Sequence, residues 1–346
     1  MNEPARGQGR GRLFLNIGIG VLFSALFVWL AIRNVNWETF GGELERVQWR
    51  YVAAYFGVLS VAHFLRLFRW GLTVRALGAV PWRRTLAVGA VGMFAIFALP
   101  ARLGEIVRPL LISSDGKVGF GQATATVVVE RIADGLTMSV VLFTTVLLLD
   151  PSVVPGEFVI SGYVAAGLFG CLSVGLLVGA LTYRWIQGPI RKVVGLVSKK
   201  LAEQILGLLG GFFDALRILS NPRLAVSYSA LTCAIWGLSG LGIWVLFSAF
   251  PGTTSSLGVL AAFTTLSVIV VGIMIPAGPG TVGVFHWAVV FALTMFAVDE
   301  SAGLLVATSL HLMIALVNAL WGVIGAAWGR ISFTQMFARR ARTETA

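Results

Sequence analysis

Residues 86–111 read LAVGAVGMFAIFALPARLGEIVRPLL, an apolar run from Leu86 to Pro100 that breaks into Pro-Ala-Arg-Leu-Gly-Glu. As a helix the run is about 22 Å long, short of the roughly 30 Å of hydrocarbon that a membrane span must cross. The residues beyond the break make no polar loop, because Arg102, Glu105 and Arg108 alternate with Leu, Ile, Val and Pro109. Whether this stretch crosses a bilayer or turns back inside it decides the topology. The answer depends on which side its two flanks lie.

The surroundings are apolar enough for the question to arise. Of 346 residues 57% are hydrophobic and 12% charged, with a mean hydropathy of +0.88. Soluble domains carry charge on about a quarter of their residues, so lipid is the solvent for most of this chain. Apolar stretches recur from residue 13 to residue 328 with short connections, which leaves no room for a separate soluble domain. The expectation is a single all-α polytopic domain, 1–346, of about eight transmembrane helices.

The net charge of +11 does not point to nucleic acid, because Lys and Arg sit in the loops between apolar runs, where the positive-inside effect places them. Residues 1–12 hold three, residues 66–84 hold five with no acid, residues 184–223 hold seven against Glu203 and Asp214, and residues 330–346 hold four. These faces, with both termini, are expected in the cytoplasm. The neutral or acidic connections at 33–50, Asp150 to Glu157, and Asp299 with Glu300 are expected on the outer side. The run from Leu13 to Ile32 follows Arg6, Arg10 and Arg12 but is long and lacks a small-x-small cleavage site, so it reads as an uncleaved first span.

An inner and an outer face are separated by an odd number of crossings. From Arg84 to Asp150 there are two apolar stretches, Leu86 to Pro100 and Ala123 to Leu149. Residues 85–121 are therefore expected to form a re-entrant hairpin, entering from the cytoplasm and leaving again, before one long helix crosses. A second break, Pro276-Ala277-Gly278-Pro279-Gly280, divides residues 257–298, as either two full spans or a second hairpin. Both breaks share an apolar-Pro-Ala-x-x-Gly core, and by charge one is entered from inside and the other from outside. That is the trace of an inverted repeat, whose paired broken helices mark a substrate site.

Residues 184–221 mix Lys and Arg with Ile, Val, Leu and Phe, which suits an amphipathic segment on the inner leaflet or a plain cytoplasmic connection. Cys171 and Cys233 each lie in an apolar run and read as packing residues, with neither a disulfide nor a metal site supported. No motif calls for a cofactor.

Ionised side chains at bilayer depth cost several kcal/mol unless paired or wetted, and they mark pathways by default. Arg102, Glu105 and Arg108 in the first break, and Glu130, Arg131 and Asp134 in the next helix, are such residues. The arginines offer forked donors to a phosphate or carboxylate, and the acids would hold them in place or take a cation. The plain alternative is that the six pair off and lock hairpin to helix. Pro276, Gly278, Pro279, Gly280 and Gly283 would let a lipid approach the backbone closely, or would form a hinge without ligand contact. His286 could donate to a phosphate. His63 and His311 read as packed or interfacial, and Arg66, Arg69 and Trp70 as an interfacial anchor or a headgroup site.

Four ordered motifs carry a resemblance: RLFRWGLTVRALG from Arg66, RLGEIVRPLL from Arg102, ERIADGL from Glu130 and PAGPGTVG from Pro276. Together they resemble the transmembrane region of lysylphosphatidylglycerol synthases, flippase-like membrane proteins, over nearly the whole chain. The resemblance implies about eight spans with re-entrant segments and translocation of lipids or lipid-linked precursors. It matches Arg102, Gly104, Glu105, Arg108 and Pro109, then Glu130, Arg131 and Asp134, position by position. Many relatives carry an acidic residue after the Pro-Gly-rich turn where this chain has His286, which leaves the substrate charge open. The full synthases also carry a soluble aminoacyl-transfer domain, for which no residues are expected after Arg330.

The leading expectation is thus a lipid translocator for an anionic or isoprenoid-linked lipid, with no catalytic residue. The alternatives are a membrane glycosyltransferase using Glu105 or Asp134, or another intramembrane enzyme such as a serine hydrolase built on Gly237-Leu238-Ser239-Gly240 with His311 as base. A small-solute secondary transporter and a non-transporting partner of a lipid-modifying enzyme also remain.

Overall fold

The computed structural model describes residues 36–99, 104–150, 156–196, 198–216, 221–274 and 278–331, with Leu26, Val28, Trp29, Ile32 and Arg33. Every regular element among them is helical, as a chain dissolved in lipid requires when each backbone polar group must be satisfied within its own segment. In chain order they are α1 (Trp37–Glu45), α2 (Trp49–Leu77), α3 (Trp82–Ala98), α4 (Gly104–Ser113), α5 (Phe120–Leu148) and α6 (Gly156–Gly195). After these come α7 (Lys199–Leu216), α8 (Pro222–Phe247), α9 (Val259–Gly272), a 3-10 turn (Pro279–Thr281), α10 (Val284–Thr294) and α11 (Glu300–Gly329).

Four described helices, α2, α5, α8 and α11, are long and apolar enough to cross a membrane. At 26–30 residues each is about 39–45 Å long. Local chemistry sets their ends. Asn221 caps α8 by accepting from the Arg223 N–H at 3.1 Å with Pro222 in the first turn, and Asp299 caps α11 by accepting from the Ser301 N–H at 2.9 Å. Hydroxyls inside the apolar helices return to their own helix: Thr137 donates to the Ala133 carbonyl, Ser139 to Gly135 and Thr265 to Ala261, each at 2.8 Å.

The order long helix, antiparallel short pair, long helix occurs twice, as α2–α5 and α8–α11. α2 and α8 pack antiparallel, with Gly242 against Tyr55 at one level and Thr232 against Arg69 at another, so the second set runs opposite to the first. In the first short pair the Arg84 guanidinium at the start of α3 meets Asp115 beyond the end of α4 at 3.2 Å. At the other end of the pair Gly104 lies against the backbone of Ala95 and Ile96 so closely that a Cβ would overlap it. The chain therefore leaves and returns at one level. α9 and α10 make the second pair, with Gly272 against Ala288 and with Val268, Ala288 and Ala292 in one apolar cluster. At 14 and 11 residues they are about 21 and 17 Å long, too short for two full spans.

Among the described residues, some of the loops grouped by charge meet at two ends. At the basic end the Arg83 guanidinium donates to the Trp328 carbonyl at 2.8 and 3.0 Å. At the other, Asn36 reaches Ser301 at 2.9 Å, Glu43 accepts from Thr253 at 2.6 Å, and the Gln48 N–H donates to the Ala249 carbonyl at 2.9 Å.

The segment 184–221 divides between two helices: α6 continues to Gly195, and α7 folds back on it, with Tyr183 Oη donating to the Leu206 carbonyl at 2.7 Å and Arg191 paired with Glu203 at 2.9 Å. One expectation is revised. Cys171 and Cys233 are exposed on helix surfaces and pack no interior. Residues 1–12 and 332–346 lie outside the described residues.

Candidate functional site

Of the sequence-derived site residues, Arg102 and Pro276 lie outside the described residues. Glu105, Arg108, Glu130, Arg131 and Asp134 do converge, but on one another. The Arg108 guanidinium donates to both oxygens of Glu130 at 2.9 and 3.0 Å, with the pair only 2% and 4% exposed. Arg108 also lies over the Trp70 ring, whose indole N–H donates to Thr126 at 3.0 Å. Its stem passes Gly92 of α3 so closely that a side chain there would run into it. Arg131 pairs with Glu130, stands 3.7 Å from Asp134, and reaches Glu105 at 3.9 Å.

Asp134 has a further partner that the sequence reading passed over. Arg69 on α2 grips it with two hydrogen bonds at 2.7 and 3.1 Å and donates to Thr232 on α8 at 2.8 Å, while the Trp236 indole N–H donates to Asp134 at 3.0 Å. Arg69 and Trp70 are each 1% exposed, so they are interior residues and no interfacial anchor. Charges this deep persist because each is paired and hydrogen-bonded. The network bolts α2, α4, α5 and α8 together. It lies about 7–21 Å in from the basic ends of those helices, counted along their axes.

Arg66, one turn along α2, is different. Its guanidinium donates to Ser239 Oγ at 3.1 Å and stacks over the Trp236 ring. Among the described residues no carboxylate lies within 4.0 Å of it. The four guanidiniums Arg66, Arg69, Arg108 and Arg131 face three carboxylates, Glu105, Glu130 and Asp134, so the described cluster holds one positive charge in excess.

Arg66 stands on the wall of a cavity of about 530 Å³ enclosed by α2, α3, α8, α9, α10 and α11. The wall is largely apolar, with Leu59, Ile96, Ile243, Leu266 and Ile269 among its residues, and polar groups enter at Arg66, His63, Ser239, Trp236, His311 and Asn318. The tips of the two short pairs meet at this cavity. Gly278, Gly280 and Thr281 line it from the second break, and Gly280 approaches the Phe97 ring at the end of α3 so that a Cβ would lie 3.4 Å from it. His311 lies edge-on to Phe97 with centroids 5.7 Å apart, stacks on Phe285 at 4.9 Å, and stands 4.9 Å from the His286 ring.

The glycine-rich break lies on the wall of this cavity. Gly280, Thr281 and Gly283 have φ of 68°, 55° and 89°, the left-handed region that glycine enters most easily. Pro279 opens the 3-10 turn, and Gly283 caps α10. His286 touches His311 beside the cavity without lining it. His63 and His311, read from sequence as packed or interfacial, line it. The chain's histidines number three, and that scarcity is the signal by which they could have been found. The serine-hydrolase arrangement is not formed: Ser239 Oγ donates to the Ile235 carbonyl at 2.7 Å and accepts from Arg66, so its hydrogen is committed to backbone.

The family described as Lysylphosphatidylglycerol synthase TM region matches residues 17–322. A UPF0104 membrane protein of Methanothermobacter thermautotrophicus is 26% identical over 70% of this chain and 75% of its own length. The UPF0104 membrane protein MJ1078 of Methanocaldococcus jannaschii is 23% identical over 67% of this chain and 92% of its own. Glycosyltransferase AglD of Haloferax volcanii is 27% identical over 65% of this chain, a match that spans 40% of that protein. No solved structure matches significantly. With the family match running through both breaks and into the last helix, this chain belongs to the lysylphosphatidylglycerol synthase TM region family.

Proposed function

We propose that the protein translocates a lipid, or a lipid-linked precursor, with an anionic headgroup across the cytoplasmic membrane, with its basic end and both termini in the cytoplasm. The observation that carries this is the pairing of an apolar cavity of about 530 Å³ with a single guanidinium, Arg66, that has no carboxylate partner among the described residues. An acyl or isoprenoid chain suits the apolar wall. A phosphate suits the forked donor of arginine. The remaining arginines are held by Glu130 and Asp134 and serve as scaffold. The two short helix pairs act as re-entrant hairpins, and their meeting tips are where one repeat rocks against the other in alternating access.

A glycosyltransferase reading draws on the match to AglD; of its two candidate carboxylates, Glu105 and Asp134, the second is locked by two hydrogen bonds to Arg69.

The test is reconstitution into phosphatidylcholine vesicles with a trace of fluorophore-labelled phosphatidylglycerol, bleaching the outer leaflet with dithionite. Wild-type protein is expected to expose the inner-leaflet label, and Arg66→Ala to slow this about tenfold or more, the worth of one charge-assisted hydrogen bond. Equal rates for the two proteins, or no movement by wild type of this or an isoprenoid-phosphate probe, would reject the proposal.

A further inference from the structure

The cavity holds two places at which a buried hydrogen-bonding nitrogen has no partner among the described residues. His63 Nε2 is one and His311 Nε2 the other; the residues are 2% and 8% exposed, and both line the cavity. A buried polar atom left unsatisfied calls for an occupant that the protein does not supply. His63 lies one turn from Arg66 on α2 and belongs to the Arg66 end of the cavity. It stacks on Trp321 of α11, with centroids 5.9 Å apart. His311 is ten residues before Trp321 on that same helix, which sets the two imidazoles about 15 Å apart along its axis.

The surroundings of His311 are those of an anion site. The break brings Gly278, Gly280 and Thr281 to the cavity wall, where Pro279 has no N–H and the Thr281 N–H donates to the Gly278 carbonyl at 3.1 Å, so the donors left to an anion are those of the helix that follows. The start of α10 comes next at Val284, and a helix of this length presents positive partial charge there. Phe97 from α3, Phe285 and His286 from α10, and Gly280 from the break close around the imidazole. No carboxylate lines the cavity among the described residues.

We propose that His311 and the first turn of α10 form a second headgroup station, which takes the phosphate of a lipid about 15 Å beyond His63, on the side toward the acidic end. This rests on the translocation reading and adds its path. The headgroup is handed from the Arg66–His63 station to the hairpin tips, through a stretch where Leu59, Ile243 and Ile269 accompany the acyl chains. At the second station Nε2–H donates a hydrogen bond to a phosphoryl oxygen, with no proton transferred.

Three histidines in the chain make the test direct, because 15N-histidine labelling gives three imidazoles, assignable through His63→Gln and His286→Gln. The full-length protein in detergent is titrated with dioctanoyl phosphatidylglycerol, with dioctanoylglycerol and with inorganic phosphate. The expected result is that the phospholipid moves both the His63 and His311 signals, while the phosphate-free lipid leaves His311 unmoved. A His311 signal moved equally by dioctanoylglycerol would reduce the station to an acyl-chain contact and overturn it. Movement of His63 alone would overturn the station and leave translocation standing. No movement together with no flipping by wild type would remove both. An equal response to inorganic phosphate would assign the site to a free anion and overturn its lipid source. In the vesicle assay His311→Leu is expected to slow movement about tenfold, with His311→Gln, which keeps a donor, near wild type; equal rates for wild type and His311→Leu would overturn the station.

Discussion

Arg108→Ala tests whether the buried ion pairs are scaffold. The guanidinium makes two hydrogen bonds with Glu130, and the pair is almost wholly buried. Removing one partner leaves Glu130 with Arg131 alone, opens space beside Gly92, and exposes the underside of Trp70. Breaking a buried pair from one side costs about 3–5 kcal/mol, a shift of two to three and a half orders of magnitude in the folding equilibrium. Replacing both partners by apolar residues of similar size, Arg108→Met with Glu130→Leu, is expected to recover much of that loss, because a buried pair and its hydrophobic isostere are often near parity. The assay is equilibrium unfolding in mixed detergent micelles followed by tryptophan fluorescence. A loss under about 1 kcal/mol for Arg108→Ala, the range of an exposed pair, would refute the reasoning. So would a double variant no more stable than the single one.

Gly104→Ala places a methyl group inside the backbone of α3 and is expected to lower stability as severely as Arg108→Ala, whereas Gly57→Ala, which meets nothing within 4 Å, gains up to about 1 kcal/mol from helix propensity; thermal unfolding of the two variants compares them. A double-mutant cycle on Arg69→Ala and Asp134→Ala is expected to give a coupling of about 1–3 kcal/mol, and additive losses in unfolding would deny the pair its role. With Cys171 and Cys233 replaced by Ser, a cysteine at Lys117 is expected to react with membrane-impermeant maleimide only after cells are opened and one at Glu300 in intact cells; labelling of both from one side would contradict the hairpin topology.

The helical class and the break positions were legible because lipid imposes few solutions: long apolar runs become helices, and Pro-Ala-x-x-Gly in such a run stops one. The charge parity between Arg84 and Asp150 announced the first antiparallel pair. The six membrane charges were legible as a group, since their cost in lipid marks them. Their partners were not. Arg69 and Trp236 lie 65 and 102 residues from Asp134, and only the packing of α2 and α8 against α5 brings them within hydrogen-bonding distance.

The sequence by itself determined that this chain is an all-helical membrane protein with two matching breaks and buried charge, because hydropathy, loop charge and proline act locally. The tertiary structure alone decided which charges are spent on one another. It paired Arg108 with Glu130 and Arg69 with Asp134, left Arg66 facing an apolar cavity, and set His63 and His311 on the cavity wall. The physical reason is that an ionic or hydrogen-bonding partner is fixed by distance in space, and spacing along a helix fixes only the face from which the search for a partner begins.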